Sequence, residues 1–181
     1  MKVLLVSGTI IGNTTMTMLK LAKERLEKLP EINQIKVIDL KDVSIQFCDG
    51  RPADQYNDDT KQLIQDFIDF DAYIIATPIF QNSIPGVLKN VFDLIPPKAM
   101  KNKPVSILAN GGTYQHYLVI ENQLKPILNY FRSFVTPNYI YVNPDHLSED
   151  GSIVDEEIQS RFEEMVDIFY EYLLMAKKLK K

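Results

Sequence analysis

The chain has 181 residues, enough for one domain with a sizeable core, and its 45% hydrophobic and 24% charged content is ordinary for a globular protein. A net charge of -4 argues against general nucleic-acid affinity; the one basic cluster, Lys177, Lys178, Lys180 and Lys181, closes the last helix, where it complements the negative end of the macrodipole. Cys48 is the only cysteine, so no intrachain disulfide and no zinc site is expected, and no apolar stretch is long enough for a membrane span or, at residues 1–6, for a signal peptide, so the chain is expected to be cytoplasmic.

Residues 2–7 read as a buried strand. Asn13 is placed to cap a helix over 13–29, with Met16, Leu19, Leu21, Ala22 and Leu26 on its apolar side and Pro30 at its end. A second strand covers 35–39, and 40–57 is irregular. Asp58 or Asp59 opens a helix to residue 70 with Leu63, Ile64, Phe67 and Ile68 facing inward. Strand three covers 72–77. Pro85 is tolerated as a first helical residue, and that helix runs to about residue 95. Strand four covers 105–109, a helix with Pro126 as a kink covers 117–131, strand five covers 134–142, and a polar loop over 143–152 leads to a closing helix from Asp155 or Glu156 to residue 178.

Strands alternating with helices indicate an α/β domain with a parallel sheet and right-handed crossovers. The natural architecture is a single, doubly wound, flavodoxin-like domain over 1–181, with five strands in the order 2-1-3-4-5 and helices on both faces. In that order ligands bind beyond the carboxyl ends of strands one and three. The loops after strands one, three and four converge there.

The first loop, from Ser7 to Thr15, has two glycines for close backbone approach, three threonines, a serine and an asparagine, and it enters a helix N-terminus. This suits a phosphate held by Ser7, Gly8, Thr9, Asn13, Thr14 and Thr15. It is neither a P-loop nor a dinucleotide fingerprint, and a plain strand-to-helix turn would also use several of these residues. The second, Thr77-Pro78-Ile79-Phe80-Gln81-Asn82-Ser83-Ile84-Pro85-Gly86-Val87-Leu88-Lys89-Asn90, adds amides, a hydroxyl and an aromatic ring to a helix start. The helix start accounts for Pro85, Gly86 and Leu88 but not for Gln81, Asn82 and Ser83. The third, Asn110-Gly111-Gly112-Thr113-Tyr114-Gln115-His116, lets a flat ring lie on backbone whose N–H groups stabilise charge. His116 reads as a helix-start residue shaping the pocket, His146 as surface, and Tyr139 and Tyr141 as strand residues. No cluster of carboxylates forms a site, and Thr77 stands where a phospho-accepting receiver would need aspartate.

These segments carry a resemblance. The first loop resembles the flavodoxin phosphate loop, with Ile11 in place of a hydroxyl residue. The second resembles the Pro-x-Tyr-x-x-Ser-x-Pro-Gly-x-Leu-Lys-Asn signature of NAD(P)H-dependent FMN reductases, with Phe80 at the tyrosine. The third, with Leu124-Lys125-Pro126-Ile127-Leu128, is similar to the reductase of alkanesulfonate monooxygenase systems. The resemblance implies FMN and NAD(P)H as cofactors. Pro78, Ile79, Phe80, Gln81, Asn82 and Ser83 would lie along the ribityl chain and ring edge. Asn110, Gly111, Gly112, Thr113 and His116 would lie at the pyrimidine end. No residue acid or base is required, because the cofactors carry the hydride chemistry. The resemblance also implies a homodimer or homotetramer and, as acceptor, free flavin, a quinone, an azo compound or a partner flavin-dependent monooxygenase. Flavin-transferring members often place an aromatic residue where this chain has Asn122, which leaves release or retention of reduced FMN open. The alternative reading is a flavodoxin-type electron carrier.

Overall fold

Alternation along the strands sorts the core into two layers. The structure, a computed structural model, describes residues 1–148 and 152–179. In β1 (Lys2–Ser7), Val3 and Leu5 face one way while Leu4 and Val6 face the other, and all four are fully buried. β3 (Ala72–Pro78) and β4 (Pro104–Asn110) repeat the pattern. Apolar residues on both sides are the signature of a parallel sheet covered on both faces.

β2 (Gln34–Asp39), β1, β3, β4 and β5 (Phe134–Val135) lie in that order, all parallel, as expected from the sequence. The expected fifth strand is split. Thr136-Pro137-Asn138-Tyr139 interrupts it, so Tyr139 is not a strand residue as expected, and β6 (Ile140–Val142) resumes the pairing with β4 at Leu108, Ala109 and Asn110. Proline cannot donate to a ladder. Thr136 turns its hydroxyl to the Asn138 carbonyl at 3.0 Å and bonds Ser106 Oγ at 3.1 Å, which satisfies two buried hydroxyls at the break.

α1 (Thr14–Leu26) and α5 (Glu156–Leu179) cover one face. The other is covered by α2 (Asp58–Asp69), α3 (Gly86–Leu94) and α4 (Lys125–Tyr130). α2 begins where Asn57 Oδ1 accepts from Thr60 N–H at 3.0 Å, a cap worth about 1 kcal/mol. Met18 rather than Met16 is fully buried on α1, and Ile68 on α2 points outward. The helix expected over 117–131 is composite: a 3-10 turn (Tyr114–Tyr117), a π-helical turn (Ile120–Leu124) that contains Asn122, and then α4. Pro126 lies just past the π-helical turn, so the irregularity falls in the turn whose carbonyls its missing N–H would otherwise have met. No helix among the described residues is long and apolar enough to cross a membrane.

Candidate active site

The loop after β1 is held down by its first glycine. Gly8 N–H donates to the Ala76 carbonyl at 2.7 Å. A Cβ at Gly8 would lie 2.8 Å from Leu88 Cδ2 and 3.0 Å from the Ala76 oxygen, so glycine is required by close approach to β3 and α3. Ser7 and Thr15 are buried and bond each other at 2.9 Å, tying β1 to α1. The Thr9 hydroxyl is turned onto its own loop, donating to the Ile11 carbonyl at 3.0 Å and accepting from Ile11 N–H at 3.1 Å. Asn13, expected to cap α1, makes no capping bond; its Oδ1 accepts from Lys41 Nζ at 2.7 Å. Among the described residues the N–H groups of Thr14, Thr15 and Met16 have no acceptor in the chain, as the first turn of a helix dictates.

The loop after β3 is a two-residue hairpin. Phe80 and Ser83 exchange backbone bonds of 2.9 Å, with Gln81 and Asn82 at φ 44° and 58°. Two successive positive φ values make a type I′ turn, which favours Asn. Turn geometry therefore explains Asn82, which the helix start could not. Gln123, on the π-helical turn, clamps the hairpin: its Oε1 accepts from Ser83 Oγ at 2.8 Å and its Nε2 donates to the Asn82 carbonyl at 3.0 Å.

In the loop after β4 the two glycines do different work. A Cβ at Gly111 would lie 2.4 Å from Tyr141 Oη and 3.1 Å from His116, whereas one at Gly112 would meet open space. Gly111 N–H donates to the Val142 carbonyl at 3.1 Å, so it is not available to a ligand as expected. Gly112 N–H has no acceptor among the described residues. Tyr141 Oη donates to the Thr113 carbonyl at 2.5 Å, and burial pushes its ionisation up, which keeps it a donor. Asn110 Oδ1 and His116 Nδ1 are buried without a hydrogen-bond partner. Such atoms are uncommon and call for an explanation.

These loops enclose a crevice of about 230 Å3. Thr14, Pro78, Ile79, Phe80, Asn110, Gly111 and Gly112 line it, joined by Val142, Asn143, Pro144 and Leu147. Val142 ends β6 and the other three follow it, and none of the four was anticipated. Asn143-Pro144 signals a helical cap, and Asn143 Oδ1 does accept from Asp145 N–H at 3.0 Å, but nothing in that signal tells which crevice the cap will wall. Ser7, Gly8, Thr9, Asn13, Thr15, Gln81, Asn82, Ser83, Thr113 and His116 lie beside or behind this wall and build the loops. A larger cleft of about 420 Å3 lies among Tyr114, Tyr117, Tyr139, Tyr141 and Arg161. Size would select it, but the unpaired Asn110 oxygen and the open helix start at Thr14 belong to the smaller one.

The family model for NADPH-dependent FMN reductase matches residues 1–146. The chain belongs to this family. Among similar FMN reductases is an NAD(P)H-dependent FAD/FMN reductase of Geobacillus thermodenitrificans, 48% identical over 89% of this chain and 87% of the relative. An FMN reductase (NADPH) of Pseudomonas aeruginosa is 29% identical over 70% of this chain and 67% of its own length. The crystal structure of apo NADH:FMN oxidoreductase (EMOB) superposes with a TM-score of 0.77 over 96% of this chain and 89% of that one, at 21% identity. Flavodoxin 1 from Bacillus cereus superposes with a TM-score of 0.64 over 94% and 98%, at 14% identity, which shows the shared fold.

The residues present fit FMN. A flat ring bearing both donors and acceptors suits a crevice that offers an unpaired acceptor at Asn110, an unpaired N–H at Gly112 and open space above that glycine. A phosphate suits the open N–H groups that begin α1.

Proposed function

We propose that the chain is an NAD(P)H-dependent FMN reductase whose flavin ring lies between residues 78–80 and 110–112, with its phosphate at the loop after β1. The observation that carries this placement is the buried, unpaired Asn110 Oδ1 on the wall of a crevice whose neighbouring glycine presents a free N–H. When bound, the flavin accepts hydride from the reduced nicotinamide and passes electrons to the acceptor. The protein's part is to bind and orient. Asn110 Oδ1 and Gly112 N–H supply one acceptor and one donor at the ring edge. Ile79, 6% exposed, and Phe80 give an apolar side wall that excludes water. Tyr141, by holding the Thr113 carbonyl, fixes the loop that carries Gly112.

Purified protein mixed with FMN and either NADPH or NADH should oxidise the nicotinamide continuously, read as loss of its near-ultraviolet absorbance. Tight FMN binding without turnover on any acceptor would instead make the chain a flavodoxin-type carrier. The acceptor is proposed to be free flavin, a quinone, an azo compound or a flavin-dependent monooxygenase, and a cytoplasmic location fits the pyridine nucleotide supply. We further propose a homo-oligomer, because Phe47 and Tyr130 are large apolar residues 78% and 69% exposed near α3 and on α4. Sedimentation velocity showing only monomer would remove that proposal.

A further inference from the structure

We propose that Lys41, which lies outside the loop after β1, supplies the positive charge for the flavin phosphate; this rests on the FMN reading above. A phosphate monoester carries close to two negative charges at neutral pH. Residues 7–15 contain no charged side chain. Their hydroxyls are also largely committed: Ser7 to Thr15, and Thr9 to the backbone of Ile11. What remains is the Thr14 hydroxyl and the N–H groups of the first turn of α1. Asp39 worsens the balance, because the β1–β2 register sets it beside Ser7 at the same end of the sheet.

Lys41 answers that deficit. Its backbone is fixed: Leu40, 1% exposed, donates its N–H to the Ser7 carbonyl at 3.2 Å, and Lys41 N–H donates to Asp39 Oδ1 at 3.2 Å. From there the side chain reaches across to Asn13 Oδ1 at 2.7 Å, one residue before α1 begins. Among the described residues it is the cationic side chain that hydrogen-bonds this loop. The bond also accounts for Asn13 failing to cap its own helix. An ammonium has three donors, so two remain when one is given to Asn13. The long exposed stem lets the charge follow a ligand without disturbing the core.

The test compares dissociation constants of FMN and riboflavin, which differ by the phosphate, for the native apoprotein, Lys41→Gln and Lys41→Arg, read by quenching of flavin fluorescence. Lys41→Gln should weaken FMN about tenfold while leaving riboflavin within about twofold, and Lys41→Arg should restore most of the difference. Equal changes for both flavins, or no change for either, overturn the role of Lys41 while leaving the FMN reading standing. A native chain that binds neither flavin overturns the FMN reading, and Lys41's role with it.

Discussion

Single residues at this site divide into those that build loops and those that face the crevice, and the glycines separate the two cleanly. Gly111→Ala drives a methyl to within 2.4 Å of Tyr141 Oη, so it should destabilise the fold by about 1–3 kcal/mol and break the Tyr141 bond to Thr113. Gly112→Ala meets open space and should leave the melting temperature within about a degree or two. It should still weaken FMN, because the methyl occupies the ring's place. Thermal unfolding beside an FMN titration reads both effects; equal loss of stability in the two variants would contradict the assignment. Both glycines were legible in the sequence as a close backbone approach at the end of β4. Their division of labour was not, because it depends on Tyr141, thirty residues downstream on another strand. The same holds for Lys41, which reaches Asn13 only because β1 and β2 are paired in register.

Among the elements, the hairpin after β3 depends on the π-helical turn opposite it. Gln123 supplies both side-chain bonds that join them. Gln123→Ala should cost about 1 kcal/mol and release the hairpin. The expected signs are faster amide exchange at residues 80–83 and weaker FMN binding, with little change at α2. Unchanged exchange at those four residues would show the clamp to be dispensable. Strand existence was legible from apolar runs, and β1, β3 and β4 lie within one residue of expectation at each end. The split of the fifth strand and the π-helical turn were not, since both are settled by partners distant in sequence: Ser106 at the break in the strand, and the hairpin against Gln123. The type I′ turn was hidden for a different reason. Gln81-Asn82 is a weaker hairpin signal than Asn-Gly, and its polar side chains suit a ligand-binding loop equally well.

Over the whole molecule, the strand order 2-1-3-4-5 was readable because parallel strands with short, right-handed crossovers leave few alternatives. That order puts the loops after β1, β3 and β4 at one crevice, and a fourth wall from residues 142–147 completes it. The packing also sets an alkaline limit. Burial, with the Glu121 carboxylate adding to it, pushes the Tyr139 phenol up to about 12, and burial raises Tyr73 in the same direction. An unfolded tyrosine ionises near pH 10. Below that both states are neutral; above it the unfolded chain loses protons that the folded chain still keeps, so stability falls as pH rises from about 10 toward 12. Urea unfolding from pH 8 to 11.5 should show this decline, and Tyr139→Phe should make it shallower. A variant with the native slope would locate the effect elsewhere.

Every role proposed for these residues depends on where the flavin lies. A crystal structure of the chain with FMN tests that most directly. The ring should be found between residues 78–80 and 110–112, with Asn110 Oδ1 and Gly112 N–H paired to its edge and the phosphate at the start of α1 within reach of Lys41. A flavin seated instead in the tyrosine-lined cleft beside Arg161, with Asn110 still unpaired, would contradict it.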